Sequence, residues 1–314
     1  MRVALKIAYG GRSFYGHQRQ PDRRTVEGEC LTALRRARIL TGPKESFFRS
    51  ASRTDRGVSA IGNVIAFDTP RGPGAVVGGF NDRARDVWAW AAAEVPPNFH
   101  PRHALERWYR YHLYDPQDLD LLRAAGKLFE GEHDMDSFTS DSSGMPHRIR
   151  SVEVYPVNGG QTIDVRAPSF RRGMVRRMVA AMVAVARGDT TMDELRDALT
   201  GARCDFGSSP PEPLTLMDVA YGFPFLTFLK PKVIAEWRKA KVGADLRVRF
   251  LEGFARASGL ESHTNANREK GSDGSRQFCT LGRSPNLRRD PRTPFEETFL
   301  YGSNAAVANL FRGE

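Results

Sequence analysis

Segments with the two-residue period of a strand are interleaved with segments of helical period through the first 235 residues, and this mixture argues for an α+β or mixed α/β fold. The chain opens in strand period, with Val3, Leu5 and Ile7 alternating with Arg2, Ala4 and Lys6. A glycine-, aromatic- and arginine-rich loop, YGGRSFYGHQRQP, follows. TVEGECLTALRRARIL then places Val26, Cys30, Leu34 and Ala37 at helical spacing behind Thr25, a natural N-cap. The loop ASRTDRGVSA at 51–60 leads into a strand at 63–69, and DRARDVWAWAAAE predicts a helix near 82–94. After a proline-containing loop an aromatic strand is predicted at 107–114, so a boundary between the two halves is placed between about 100 and 106.

The second half has the same character, although no repeat is visible in the letters. LDLLRAAGKLFEGEHD predicts a helix, RIRSVEVYPV and QTIDVRAPS predict paired strands, and SFRRGMVRRMVAAMVAVARGD predicts a long helix. On that helix Phe170, Met174, Met178 and Met182 form a core stripe with Val175, Val179 and Val183 alongside. From about residue 236 the chain turns polar and aperiodic, and it is read as a flexible extension, with FEETFLYGSNAAVANLF docking back. The expected division is 1–103, 104–235 and 236–314.

A formal charge of +10 and a pI near 9.8 point to a polyanionic partner, because lysines and arginines that neutralise phosphates release counterions. Basicity alone does not establish one. Cys30, Cys204 and Cys279 are odd in number and far apart, which fits a reducing cytoplasm better than a disulfide framework. No apolar run approaches the roughly 20 residues of a membrane span, so no membrane partner is expected. Phosphate-loop and dinucleotide fingerprints are missing, and the seven histidines form no metal-ligand motif. His100 and His103 are read as structural loop residues. Neither a cofactor nor a metal is expected.

Three constellations remain. Asp55 stands between Arg53 and Arg56, so its carboxylate stays ionised if either cation reaches it. Such a group serves as a nucleophile or general base, and equally as half of a structural ion pair at a turn. In RWYRYHLY, Tyr109 and Tyr111 share a strand face, either as core aromatics or as a base-stacking platform beside phosphate-binding arginines. Arg171, Arg172, Arg176 and Arg177 crowd the striped helix, with Arg172 and Arg176 on one face. Arg176 falls at the core edge, where an arginine is usually paired with a carboxylate.

The order IAYGGRSFYGHQRQ, ASRTDRGVSA, NFHPRHALERWYRY, FRRGMVRRMV resembles the tRNA pseudouridine synthases of the TruA family, of the archaeal type, over about residues 3–225. Arg53, Thr54, Asp55, Gly57, Val58 and Ala60 match the family's catalytic-loop pattern, while Ser52 replaces the usual Gly and Ser59 the usual His. Tyr9, Gly11, Phe14 or Tyr15, Gly16, Gln18, Arg19 and Gln20 match the N-terminal pattern, with His17 where Trp is common.

The resemblance implies the pseudouridine synthase fold, in which two similar α+β halves share a mixed, mostly antiparallel sheet with a central cleft. It also implies a cofactor-free isomerase acting on tRNA uridines 38, 39 and 40, in a cytoplasmic homodimer. Asp55 would be the catalytic carboxylate, Tyr109 the tyrosine that stacks on the base or assists proton removal from C5, and Arg176 the partner of the aspartate. Arg53 would enter the RNA stack in place of the flipped base, with Gln18, Arg19, Arg56 and Arg172 on the RNA. A noncatalytic RNA-binding module and a basic protein with no RNA role are the alternatives.

Overall fold

The computed structural model describes residues 1–40, 46–141 and 144–260. Residues 1–246 form one compact unit. Of the second unit, 247–314, the described part is helical through Ser258.

Strand β1, Arg2–Tyr9, is followed by a single 3-10 turn at Gly11–Ser13 and helix α1, Val26–Arg36. Thr25 caps α1 as expected, its hydroxyl accepting from the Gly28 amide, and Glu27 and Glu29 in the first turn oppose Arg35 and Arg36 in the last. Then come β2, Arg49–Ser50, β3, Ser59–Asp68, α2, Pro73–Arg83, β4, Val87–Val95, and β5, Glu106–Leu113. The second half adds α3, Leu119–Leu128, a small β6–β7 ribbon (Gly131–His133, His147–Ile149), and the hairpin β8, Ser151–Val157, with β9, Gly160–Ala167. Helices α4, Met174–Arg187, and α5, Met192–Leu199, lead to β10, Leu214–Ala220, β11, Leu226–Thr227, and α6, Pro231–Ser258.

The main sheet runs β11-β4-β1-β3-β10-β5-β9-β8, with β2 paired to β3. Among the described pairings only β3–β10 is parallel; the others are antiparallel. This is the mixed, mostly antiparallel sheet that the family resemblance implied, in the α+β class that the interleaved periods led us to expect. Helices α1 and α2 pack with β4, and α3 packs on β8 and α4. Leu5, Ile7, Ile65, Phe67 and Phe80 on one side of the β3–β10 seam, and Phe129, Phe138, Ile163 and Met178 on the other, belong to one continuous core.

Three expectations need correction. Residues 82–94 are not a helix: α2 ends at Arg83, and the alanine-rich stretch is strand β4, between β1 and β11. Pairing on both edges outweighs the helix propensity of alanine. Where the β1–β4 register shifts, the Asn81 amide donates to Ala89 O (2.7 Å) and accepts from Ala89 N (2.9 Å), substituting for a strand neighbour. The striped helix begins at Met174, after Gly173 at φ 71°, so Phe170 and Arg172 lie in the preceding loop and Arg172 shares no helix face with Arg176. Residues 236–258 are helical in α6, not aperiodic. The predicted docking segment and Cys279 lie outside the described residues.

Both faces of β1 are covered, the one that carries Arg2, Ala4 and Lys6 included. Arg2 bonds Asp68 at 2.7 Å and the Phe99 carbonyl at 2.8 Å. Lys6 pairs with Asp218 and lies over the rings of Trp90 and Phe225.

Candidate active site

Asp55 opens a tight turn between β2 and β3. The Val58 amide donates to Asp55 O at 3.2 Å, and Gly57 supplies the positive φ of 88° that the third position of a type II turn needs. Buried polar side chains hold the approach to this turn. Asn63 accepts from the Ser52 amide (3.3 Å) and donates to Ser52 O (3.0 Å) and to the Tyr9 hydroxyl (3.1 Å). The Tyr9 hydroxyl shares a 2.9 Å hydrogen bond with Thr54, whose carbonyl accepts from the His17 amide at 3.0 Å. The N-terminal loop and the Asp55 turn are therefore one construction.

Gly11 shows how tightly they fit. A Cβ there would sit 2.3 Å from Gly57 O, and the Gly11 amide donates to the Ser59 hydroxyl at 3.1 Å. Gly11→Ala is expected to displace the turn and cut kcat/KM about 100-fold for any reaction that depends on Asp55. Steady-state kinetics over a range of substrate concentrations would show this, and parity with the unmutated protein would disprove the contact's importance.

Two further elements meet the turn. Strand β10 pairs Leu216 with Ala60 of β3 on one edge and with Tyr109 of β5 on the other, so Tyr109 lies two strands from the end of the Asp55 loop. Its ring is buried and meets Phe170 edge-on at 5.2 Å and 88°. From the first turn of α4, Arg176 reaches Asp55, Nη1 to Oδ2, at 3.2 Å, while its Nε donates to Ser209 O at 2.7 Å. Asp55, Tyr109 and Arg176, separated by more than 100 residues at the extremes, thus converge.

Arg53 and Arg56, which flank Asp55 in the sequence, do not pair with it; Arg176 does. Arg53 is exposed, and Arg56 lies over the Tyr15 ring, 4.6 Å from its centroid. Arg19 is exposed and 3.8 Å from Glu27. Gln18 and Arg172 are exposed as well, Arg172 on the far side of Gly173. Arg171 instead pairs with buried Asp136 at 3.0 Å, and Arg177 with Asp205 at 3.3 Å. His100 and His103 stack on each other at 5.3 Å. Among the described residues no group of three His, Cys, Asp or Glu is placed to hold a metal ion.

Sequence reasoning missed Arg107. It shares the face of Tyr109 and Tyr111, is 6% exposed, and has no carboxylate partner among the described residues. Its guanidinium donates to Ser52 Oγ (3.0 Å), Ala51 O (3.1 Å), Arg102 O (2.9 Å) and Pro168 O. It therefore fastens the Asp55 loop to the loop that carries Phe170. The only signal in the sequence was its even spacing from Tyr109 and Tyr111.

Burial raises the Tyr109 pKa to about 12; the Asp55 charge adds to that, while Arg107 and a hydrogen bond with Ser52 work against it. The phenol is therefore neutral at neutral pH. Burial, with the nearby Arg53 charge, lowers His17 to about 4, and its Nε2 finds no partner. The unfolded chain binds this proton below about pH 6.5 and the folded chain only near 4. Stability is thus lost as pH falls through that window, by up to about 1.4 kcal/mol per unit. Urea unfolding at pH 7 and pH 5 should show a smaller loss for His17→Phe than for the unmutated chain, and equal losses would contradict it.

A family model described as tRNA pseudouridine synthase matches residues 125–222. A protein named tRNA pseudouridine synthase A from Thermococcus sibiricus is 40% identical over 227 residues, covering 70% of this chain and 85% of its own. The protein of the same name from Methanococcoides burtonii is 44% identical over 232 residues, covering 71% of this chain and 84% of its own. The chain belongs to the tRNA pseudouridine synthase A family. It is an isomerase of the pseudouridine synthase class, with the fold that the resemblance implied.

Proposed function

We propose that the chain converts uridine to pseudouridine at positions 38, 39 and 40 of the tRNA anticodon stem-loop, with Asp55 as the essential carboxylate. The observation that carries this reading is the Asp55–Arg176 pair at the β3–β10–β5 seam, with Tyr109 across β10 from the end of the Asp55 loop. In the reaction the N1–C1′ bond of uridine breaks, the C5–C1′ bond forms, and the proton on C5 leaves while N1 gains one. The change is redox-neutral and calls for no cofactor.

Each residue has a part that its surroundings favour. Arg176, fixed by Ser209 O, aims a guanidinium at Asp55 and favours the carboxylate form. Tyr109, a neutral phenol wedged against Phe170, is better suited to stacking on the base than to taking a proton as phenolate. The glycosidic bond is out of reach in stacked RNA, so the nucleotide has to be extruded at a cost of about a few kcal/mol. Arg53, exposed one residue before Thr54, can fill the gap with its planar guanidinium. Gln18, Arg19, Arg56 and Arg172 supply further contacts to RNA. In this reading residues 1–103 and 104–235 close on the tRNA as two halves, 236–314 extend from them, and the chain acts as a cytoplasmic homodimer.

Transcripts carrying uridine at only one of positions 38, 39 and 40 test the assignment. Pseudouridine at each of these positions is expected, and none once all three are cytidine. Product formed elsewhere on the triple-cytidine transcript would overturn the positional reading.

A further inference from the structure

Tyr15 is an aromatic side chain left 40% exposed beside the Asp55 turn. Two guanidinium groups lie over its ring, Arg23 at 4.7 Å and Arg56 at 4.6 Å from the centroid. Neither arginine has a carboxylate within ion-pair distance among the described residues. The neighbouring Arg24 shows what a purely structural arginine looks like here. It too lies over a ring, that of Phe14 at 4.6 Å, but it pairs with Asp86 at 2.8 Å and Glu29 at 3.3 Å. Arg23 and Arg56 are held over the ring without such an ion pair, and the electron-rich ring favours both cations.

The cluster cannot move independently of the Asp55 turn. The Tyr15 amide donates to Arg24 O at 2.8 Å, and the His17 amide donates to Thr54 O at 3.0 Å. A Cβ on Gly16, between them, would be 3.6 Å from the Asp55 carbonyl carbon. Arg56 also lines a depression of about 470 Å³ with Arg12, Gly57, Pro210 and Glu212. Arg56 is thus the second residue of the turn that presents Asp55, and Arg23 lies over the same Tyr15 ring.

We infer that Arg23 and Arg56, held by Tyr15, bind a backbone phosphate of the RNA next to the nucleotide presented to Asp55. Because the ring already carries two guanidiniums, Tyr15 orients cations and does not stack a base. Planar guanidiniums donate paired N–H groups to phosphate oxygens, a geometry that scattered surface lysines do not offer. This site rests on the tRNA reading above and adds to it a phosphate contact built from Tyr15 and Arg23.

The test is equilibrium binding of an unmodified tRNA transcript across a KCl series, for the unmutated protein, Arg23→Gln, Tyr15→Leu and Tyr15→Phe, with thermal melting of each. Arg23→Gln is expected to weaken binding about 10-fold and to lower the slope of log K against log salt by about 1. Tyr15→Leu should weaken binding although it removes no charge, and Tyr15→Phe should restore it. An unaltered affinity and slope in Arg23→Gln overturns the phosphate site. A Tyr15→Phe variant as weak as Tyr15→Leu overturns the role given to the ring. Pseudouridine formation by the unmutated protein is measured separately, so loss of the enzymatic reading is distinguishable from loss of this one.

Discussion

Asp55→Asn is expected to lower pseudouridine formation by at least about 10⁴-fold while tRNA binding persists. Asparagine keeps the size of the side chain and an oxygen facing Arg176, so the turn, held by Asn63, Tyr9 and Thr54, has no reason to collapse. What disappears is the anion to which the proposed function assigns the part of nucleophile or base. Binding has no reason to weaken either, since the lost charge has the same sign as phosphate. Release of tritium from C5-labelled tRNA reads the first quantity and filter binding the second. Release equal to that of the unmutated protein would remove Asp55 from the chemistry, and the Asp55–Arg176 contact would then be a structural ion pair.

Arg107→Met should be the most damaging change outside the Asp55–Arg176 pair. It leaves four acceptors without their donor: Ala51 O and Ser52 Oγ in buried positions, and the carbonyls of Arg102 and Pro168 in part-buried ones. An orphaned buried acceptor costs about 1–3 kcal/mol. Part of the sum is offset because the cation itself no longer has to be buried, and a net loss of about 3 kcal/mol is expected. Activity should fall even at temperatures where the variant stays folded, because Ser52 bonds both the arginine and Tyr109. Arg107→Lys should recover only part, since an ammonium cannot reproduce the fork. Chemical unfolding alongside single-turnover kinetics separates the two effects. A variant as stable as the unmutated chain would show that the four contacts carry no net energy.

Regular periodicity and capping made several elements legible beforehand. Strand β1, helix α1 with its Thr25 cap, β5 and the β8–β9 hairpin lie where the letters place them. That Arg176, between Val175 and Val179, needs a carboxylate was legible from the residues, whereas Asp55 as its partner came only from the family resemblance. Strand β4 was not, since alanine reports helix propensity and says nothing of strands waiting on either side. Arg107 was hidden for a related reason. A charge in an aromatic strand reads as solvated until the carbonyls that ring it are known. Asn63 likewise looked like an ordinary strand residue, although it holds Ser52 and Tyr9 together.

The place of β10 bears on how the molecule is made. Its residues, Leu214–Ala220, enter between β3 and β5, which leave the ribosome some 150 and 100 residues earlier. Until then one end of β3 and the inner side of β5 are bare strand edges, the kind of surface on which nascent chains aggregate. The short β2 shields the other end of β3. Tyr109 is brought across from Ala60 only by Leu216. A chain halted before that insertion therefore carries every residue of the Asp55 turn without Tyr109 in place beside it, so on the proposed function the emergence of activity during synthesis would serve as a clock for the closing of the sheet.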